Sequence, residues 1–487
     1  MQMLVLGIDG GDLDIIKQFD MPFTHDLIRK NKSLLLEEDL FDRGWMKILA
    51  GQKGVETGAF YMRPKLDGTF NFTTSFNTKN LEGRSDVKFL WDILEDLNKT
   101  YCIMNVPTTT PVPNYLKKGI VIGSAGGGLN VVNGIPESLV SRDDIRKMLV
   151  EDGYVIDIRI PNNEISETAS LFEQLIQMEK KRTSCFIKIC QKDDVDFGFL
   201  VDRGTTIVQY LARNVIEKIK VDGRDKVSES KDGWALELLE RYYRSLDENI
   251  KDLFEELKPD SFIITADHNT VPHLKKACVE PFLIKNGFLH KTARTKRIGV
   301  IKGIIDKIGL LPLARKLIYR KSNLGKPLVD RYDKNSTIAF GSNYVSGIYI
   351  NDYRFTNVIN TKELYEETLN NLIRLFNDLS ESERLGMVAS PYRSRKFGEF
   401  KEFLPDIIFL NSEGIHFDDS GPSFSYINEN YFSNLPMKLS EVRHAAHSGD
   451  KGKNPIMIFS PNLNEVECQD SSDLRVVYEL IQGFFEK

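Results

Sequence analysis

The chain has 487 residues, of which 41% are hydrophobic and 28% are charged, and its formal net charge is −5 at pH 7. This composition is typical of a globular protein large enough to bury its own core, and the negative charge argues against a nucleic-acid-binding surface. The five cysteines form no CxxC pair, which predicts buried thiols in a reducing compartment. Because the apolar start is too short for a signal peptide and no run reaches about 18 apolar residues, we expect a cytoplasmic protein without a membrane span.

The first half of the chain alternates apolar runs with segments of helical spacing. Runs that are apolar throughout are typical of strands buried on both faces. Such strands alternating with helices predict a doubly wound α/β fold, with a mostly parallel sheet and helices on both faces. The predicted strands are Met3–Ile8, Tyr101–Val106, Gly119–Ile122, Asp196–Val201 and Ser261–Thr265, and the predicted helices are Asp12–Phe19, Phe89–Leu97, Leu171–Cys190 and Ala235–Leu257.

The second half departs from this alternation in two places. Residues 280–335 are rich in Lys, Arg, Ile and Leu and predict a helical insert, and residues 384–440 predict an irregular lobe with scattered aromatic residues. We expect one domain over residues 1–487 that carries both additions. The remaining predicted elements are a strand at Ser336–Asn351, a helix at Thr361–Asp378, a last sheet strand at Pro455–Ser460 and a helix at Ser472–Glu486.

Three of the apolar runs stop at an aspartate. Asp9, Asp202 and Asp267 follow the runs that begin at Leu4, Phe197 and Phe262, and His268 follows Asp267 directly. Parallel strands end at the same edge of a sheet, where ligands of open α/β sheets bind. Carboxylates gathered there repel one another unless a cation lies among them. The alternative for each aspartate is a turn or a helix cap.

The first loop also permits another interpretation. The sequence GIDGG after an N-terminal strand opens many sugar kinases of the actin-like ATPase fold, where the turn joins two strands and holds phosphate through backbone N–H groups. Here the segment DLDIIKQF that follows has helical spacing, and no second phosphate loop is found. A glycine-rich turn alone is weak evidence in either direction.

The order of several motifs resembles the type I phosphodiesterase/nucleotide pyrophosphatase branch of the alkaline phosphatase superfamily. The resemblance runs from GIDGGDLDII through RGWMKILAGQKGVETGAF, DFGFLVDRGTTIVQY and SFIITADHNT to HSGDKGKNPIMIF. It implies an alkaline-phosphatase-like fold and a hydrolase that cleaves phosphate esters or diesters with two metal ions flanking a Thr or Ser nucleophile. It further implies that Asp9, Asp267 and His268 bind one ion and that Asp202 binds the other. The alternative for Asp202 is a pair with Lys451, in which each residue favours the charged form of the other.

Three expected site residues of that family are replaced. Thr206 stands where the second metal has a histidine, Lys451 stands where a late histidine is expected, and Phe41 stands at the nucleophile position. Three explanations remain open. In the first, the protein uses one metal ion, Lys451 or Arg43 supplies positive charge, and water is the nucleophile. In the second, nearby residues take the place of the missing site residues. In the third, the protein has lost catalysis and kept the pocket for binding. The substitutes are His447, His444, His273, Asp450 and Asp42.

These arguments give a set of predicted site residues. We predict Asp42, Arg43 and Lys451 as catalytic residues, and we predict Asp9, Asp202, Asp267, His268 and His447 as metal ligands. The cofactor is a divalent metal ion, with Zn²⁺ preferred over Mn²⁺ or Mg²⁺. The expected partner is a small phosphorylated or sulfated substrate or ligand, and the oligomeric state is left open.

Overall fold

The structure is a computed structural model. It describes the chain except residues 82, 125–134, 159–167, 231, 294, 296–330, 343–344, 418–425, 428–447 and 467–471. The described residues form two compact units. The first unit comprises Met1–Tyr61, Thr74–Leu274 and Ile427–Lys487, and the second comprises Met62–Thr73 and Lys275–Tyr426.

The elements are numbered here in chain order. The strands are β1 (Met3–Ile8), β2 (Lys32–Leu35), β3 (Arg63–Pro64), β4 (Phe72–Thr73), β5 (Tyr101–Met104), β6 (Gly119–Ile122), β7 (Phe197–Asp202), β8 (Ser261–Thr265), β9 (Asn269–Pro272), β10 (Lys275–Ala277), β11 (Ala339–Ser342), β12 (Val345–Ile350), β13 (Val388–Pro391), β14 (Ile407–Leu410), β15 (Ile415–Phe417), β16 (Tyr426–Ile427), β17 (Gly449–Gly452) and β18 (Ile456–Phe459). The helices are α1 (Leu13–Ile16), α2 (Pro22–Lys30), α3 (Gly44–Ala50), α4 (Gly54–Thr57), α5 (Leu90–Asp96), α6 (Asp143–Glu151), α7 (Thr168–Asp193), α8 (Gly204–Asp222), α9 (Arg224–Ser228), α10 (Gly233–Leu257), α11 (Val279–Lys285), α12 (Lys362–Glu383) and α13 (Arg475–Glu486).

The first unit is built on a seven-stranded sheet in the order β2-β18-β8-β1-β7-β5-β6. The five strands from β8 to β6 run parallel, whereas β18 is antiparallel to both β8 and β2. Alternate residues of each strand enter one of two hydrophobic cores. Leu4, Leu6 and Ile8 of β1 pack with helices α7, α8 and α10, and Met3 and Val5 pack with α3, α5 and α13. Helices therefore cover both faces, as the apolar strand sequences require.

The register of the central strands fixes what lies at the carboxyl edge. Gly7 lies opposite Val201 of β7 and Thr265 of β8, and Ile8 lies opposite Asp202. If the register with β8 continues by two residues, Asp9 and Asp267 stand at the same level. The carboxyl ends of three parallel strands thus lie side by side at one edge of the sheet.

The second unit contains a four-stranded antiparallel sheet in the order β11-β12-β14-β13. Strands β3 and β4 form an antiparallel pair, and β10 pairs in parallel with β15. Helix α12 contributes Leu369, Leu372 and Phe376 to the buried residues of this unit.

The predicted α/β fold with a mostly parallel sheet is confirmed. The predicted strand at Ser336–Asn351 is a hairpin of β11 and β12, and the last sheet strand is antiparallel. Most of the predicted helical insert at 280–335 lies outside the described residues, as does much of the lobe at 384–440. The described parts of both regions up to Tyr426 belong to the second unit, and a single domain over the whole chain stays a prediction. In the described part of the chain, no helix is both long enough and apolar enough to cross a membrane.

Candidate metal centre

Asp9, Asp267 and His268 come together beyond the ends of β1 and β8. One side-chain ligand atom from each residue lies within 4.8 Å of the other two, and all three residues are buried. Asp9 is 8% exposed, Asp267 3% and His268 1%. Among the described residues, these three form the group of potential ligands whose geometry would allow a metal ion to bind.

The orientation of His268 directs Nε2 at the two carboxylates. Its Nδ1 lies 2.8 Å from the backbone oxygen of Asn269, which can only accept, so Nδ1 is the donor. Its Nε2 then lies 3.4 Å from Asp9 Oδ1 and 3.8 Å from Asp267 Oδ1. Asp267 Oδ1 is buried and has no hydrogen-bond partner. Nε2 and the two carboxylate oxygens face one another in a buried space, and this arrangement fits a cation that binds all three.

The pKa values of the two carboxyl groups are shifted in opposite directions. Burial opposes ionisation of Asp9, but the hydrogen bond and charge of His268, with Arg203 and Lys451, hold its pKa well below the usual range. Burial, and then the negative charge of Asp9, raises the pKa of Asp267. One carboxylate is therefore stabilised at the expense of the other, and a divalent cation between them would remove this conflict.

Asp9 is surrounded by hydrogen-bond donors. The Thr206 hydroxyl donates to Asp9 Oδ1 at 2.5 Å, and Trp45 Nε1 donates to Asp9 Oδ2 at 3.4 Å. Arg203 Nε lies 3.7 Å from the same Oδ2. Gly10 has a φ of +74°, and a side chain there would collide with Thr206. The glycine-rich first loop therefore lets α8 approach Asp9 closely, and Thr206 donates a hydrogen bond at the position where the resemblance predicts a histidine.

Lys451 lies on β17 beside the predicted centre. Its Nζ is 3.9 Å from Asp267 Oδ2 and 3.6 Å from the centroid of the Tyr61 ring, and its side chain is 28% exposed. Burial lowers the pKa of Lys451, although Asp267 and Asp9 favour its charged form. The ammonium group lies close to Asp267, and the pairing of Lys451 with Asp202 stays a prediction.

Asp202 does not join the three-residue group. Its Oδ1 accepts from the Gly204 backbone N–H at 3.1 Å and from the Tyr242 hydroxyl at 3.4 Å. It interacts with the buried carboxyl group of Glu179, whose pKa is raised by burial and by the charge of Asp202. Because Asp202 pairs with Ile8, which is one residue before Asp9, its side chain points to the opposite face of the sheet. Asp202 therefore lies at the same edge of the sheet as Asp9, but its carboxylate points away from the three-residue group.

The predicted catalytic residues Asp42 and Arg43 are engaged in structural contacts. Asp42 Oδ2 lies 3.2 Å from Lys47 Nζ, and Lys47 also binds Glu38 at 2.8 Å, so the three form a buried group. Arg43 donates from Nε to the Phe60 carbonyl at 3.0 Å and from Nη2 to the Thr74 carbonyl at 2.5 Å. Their catalytic roles stay predictions. His447, and with it His444, lies outside the described residues.

Glu38 in this buried group gives a prediction for stability against pH. Burial raises the pKa of Glu38 from 4.5 to about 7, despite the nearby Lys47 ammonium. The folded state therefore holds a proton that the unfolded state has released, and stability falls as the pH rises from about 4.5 through about 7. The expected loss is up to about 3 kcal/mol.

Glu38→Gln is expected to reduce this slope when urea midpoints are compared between about pH 5 and about pH 8. Some slope should remain, because burial also raises the pKa of Asp42. Lys47 does not reverse this pH dependence, because its raised pKa affects stability only at pH values above the usual pKa of lysine. An unchanged slope in the variant would show that Glu38 is not the titrating group.

Tyr61 contributes a site hydroxyl that sequence reasoning did not find. It donates to Asp267 Oδ2 at 2.7 Å. The sequence pattern gives no sign of this contact, because Tyr61 belongs to neither a strand-end motif nor a family position. It reaches the centre through an antiparallel bridge between Asp42 and Phe60, which is visible only in the folded chain.

Comparison with solved structures finds matches at low sequence identity. Phosphonoacetate hydrolase from Sinorhizobium meliloti, in complex with phosphonoacetate, matches with a TM-score of 0.50 and 11% identity, over 99% of this chain and 96% of the hydrolase. Human ectonucleotide pyrophosphatase/phosphodiesterase 5 matches with a TM-score of 0.45 and 10% identity, over 94% of this chain and 87% of that protein. No protein-family model and no curated protein matches the chain. The likeness to the hydrolase supports the fold predicted from the motifs and shows the fold alone, so the chemistry of this chain must be argued from the site.

Proposed function

We propose that the protein is a metal-dependent hydrolase of phosphate esters or diesters. The observation that carries this proposal is the convergence of Asp9, Asp267 and His268, buried and with their ligand atoms within 4.8 Å of one another. These residues would hold one divalent ion, which when bound would polarise a phosphoryl oxygen and lower the pKa of water. Two carboxylates and an imidazole suit Zn²⁺ first, with Mn²⁺ and Mg²⁺ as the other candidates.

The surrounding residues support hydrolysis with a diverged mechanism. Phe41 offers no hydroxyl at the position of the family nucleophile, so we assign the attack to water. Lys451, which is partly exposed beside Asp267, supplies a fixed positive charge for phosphoryl oxygens. Arg203, whose Nε lies 3.7 Å from Asp9, adds a second positive charge, part of which Asp157 neutralises at 3.0 Å.

The second candidate function is an inactive relative that keeps the pocket. In this alternative the protein binds a phosphorylated or sulfated ligand, or a protein partner, without turnover. It is favoured by Phe41 at the nucleophile position and by the separation of Asp202 from the three-residue group. The cytoplasmic location predicted from the cysteine pattern is compatible with both candidates and is also a proposal.

The test combines metal analysis with a panel of chromogenic esters. The purified protein is expected to bind one equivalent of Zn²⁺ or Mn²⁺ and to hydrolyse p-nitrophenyl phosphate, its diester or a phosphonate ester. Sulfate esters complete the panel. His268→Ala should lose both the metal and the turnover, because it removes the nitrogen ligand.

Asp202→Asn is the matched control. It changes another aspartate at the same sheet edge, but one whose carboxylate contacts Gly204 and Tyr242 instead of the three-residue group. The metal content should remain near one equivalent. Metal binding without turnover of any ester would favour the inactive relative. Loss of metal in Asp202→Asn would contradict the one-metal site.

A further inference from the structure

Tyr61 is held beside the segment where the family nucleophile is expected. Its backbone N–H donates to the Phe41 carbonyl at 3.0 Å, and the Arg43 N–H donates to the Ala59 carbonyl at 2.9 Å. These bonds, with the bridge between Asp42 and Phe60, fix the course of the chain before Tyr61. The side chain is half-buried and directs its hydroxyl at Asp267.

The hydroxyl distinguishes the two oxygens of Asp267. It donates to Oδ2 at 2.7 Å, whereas the buried Oδ1 has no hydrogen-bond partner. Oδ1 is also the oxygen that faces His268 Nε2, at 3.8 Å. A carboxylate that is hydrogen-bonded through one oxygen presents the other in a fixed direction, and such outer partners orient metal ligands.

The same tyrosine also places a cation. Lys451 Nζ lies 3.6 Å from the centroid of the Tyr61 ring, well inside the range of a cation–π interaction. It lies 3.9 Å from Asp267 Oδ2, the oxygen that accepts from the Tyr61 hydroxyl. One side chain thus contacts both the carboxylate and the ammonium group.

We infer that Tyr61 is a positioning residue, which makes Asp267 a one-oxygen metal ligand through Oδ1 and holds Lys451 beside it. This inference rests on the proposed metal centre. It assigns Tyr61 no bond to the substrate and no covalent step. It explains why a buried carboxylate oxygen is left without a donor while its neighbour has one.

Tyr61→Phe tests the inference, because it removes the hydroxyl and keeps the ring beneath Lys451. The probe is the metal alone, Zn²⁺ or Mn²⁺, titrated into the metal-free protein by calorimetry or equilibrium dialysis. We expect affinity to fall about 10- to 100-fold, as for other outer partners of metal ligands. Turnover, where present, should recover at saturating metal.

Tyr115→Phe is the matched control. It removes a phenol hydroxyl that donates to another aspartate, Asp92, at 2.8 Å, and it should leave metal affinity unchanged. Wild-type affinity in Tyr61→Phe would overturn the inference. So would a loss of turnover at every metal concentration with unchanged affinity, because Tyr61 would then act on the substrate. Weakened metal binding without turnover of any ester would support this inference while the proposed hydrolase fails, and absence of metal from the unaltered protein would refute both.

Discussion

Asp267→Asn is expected to stabilise the metal-free protein and to abolish its stabilisation by metal. In the metal-free state the pKa of Asp267 is raised by burial and by the charge of Asp9, so its ionisation at neutral pH opposes folding. Asparagine keeps an acceptor for the Tyr61 hydroxyl and removes the charge. We therefore expect the free energy of unfolding of this variant to exceed that of the wild-type protein when metal is absent.

The response to metal should change in the opposite direction. A ligand that binds only the folded state adds about 2.7 kcal/mol at a concentration of 100 times its dissociation constant. The wild-type protein should show this gain in urea unfolding with added Zn²⁺, and Asp267→Asn should show none. Both measurements use unfolding alone, so they do not depend on finding a substrate.

Asp42→Asn provides the comparison for this prediction. Its carboxylate is also buried and its pKa is also raised by burial, but it contacts Lys47 outside the three-residue group. The free energy of unfolding of Asp42→Asn in metal-free buffer should differ from that of the wild type, while its increase on adding Zn²⁺ should remain. If Asp267→Asn kept the full metal response, the centre would have to be sought elsewhere in the chain.

The sequence predicted the convergence of strand ends better than the direction of side chains. Continuous apolar runs that end in aspartate were enough to place Asp9, Asp202 and Asp267 at one edge. Whether each carboxylate joins the group depends on the register, in which Asp202 pairs with Ile8 and not with Asp9. Since adjacent residues of a strand point to opposite faces, a difference of one residue separates Asp202 from the centre. A single sequence does not contain that register.

Contacts made by irregular segments could not be predicted from the sequence either. Tyr61 approaches Asp267 because of the bridge at Asp42, and Lys451 approaches it because β17 pairs with β9 next to His268. The first pairing joins residues 18 positions apart and the second joins segments far apart in the chain, and neither has a periodic pattern. In the second unit β13 and β14 were missed, whereas β11 and β12 lie within the predicted strand at Ser336–Asn351 and α12 was predicted as a helix at Thr361–Asp378.

Asp406→Ala is expected to have the largest effect on stability, at about 3–5 kcal/mol. Asp406 is fully buried in the second unit, where it accepts from Arg354 Nη2 at 2.5 Å and Arg393 Nε at 2.7 Å. It also accepts from the Ile350 N–H at 2.7 Å and the Tyr365 hydroxyl at 2.8 Å. Burial alone would raise its pKa, but the two arginines lower it. Alanine would leave two largely buried guanidinium groups short of a carboxylate and two donors without an acceptor, which is far more costly than losing an exposed ion pair.

Asp378→Ala measures the cost of losing an exposed ion pair in the same unit. Asp378 pairs with Arg374 one helical turn away, at 3.2 Å, with side chains 65% and 63% exposed. Its removal should cost at most about 0.5 kcal/mol in urea unfolding. The contrast follows from solvent, because water replaces the lost partner at Arg374 and cannot do so readily at Arg354, whose side chain is 1% exposed. Equal costs for the two variants would mean that the Asp406 network opens to water in the folded protein.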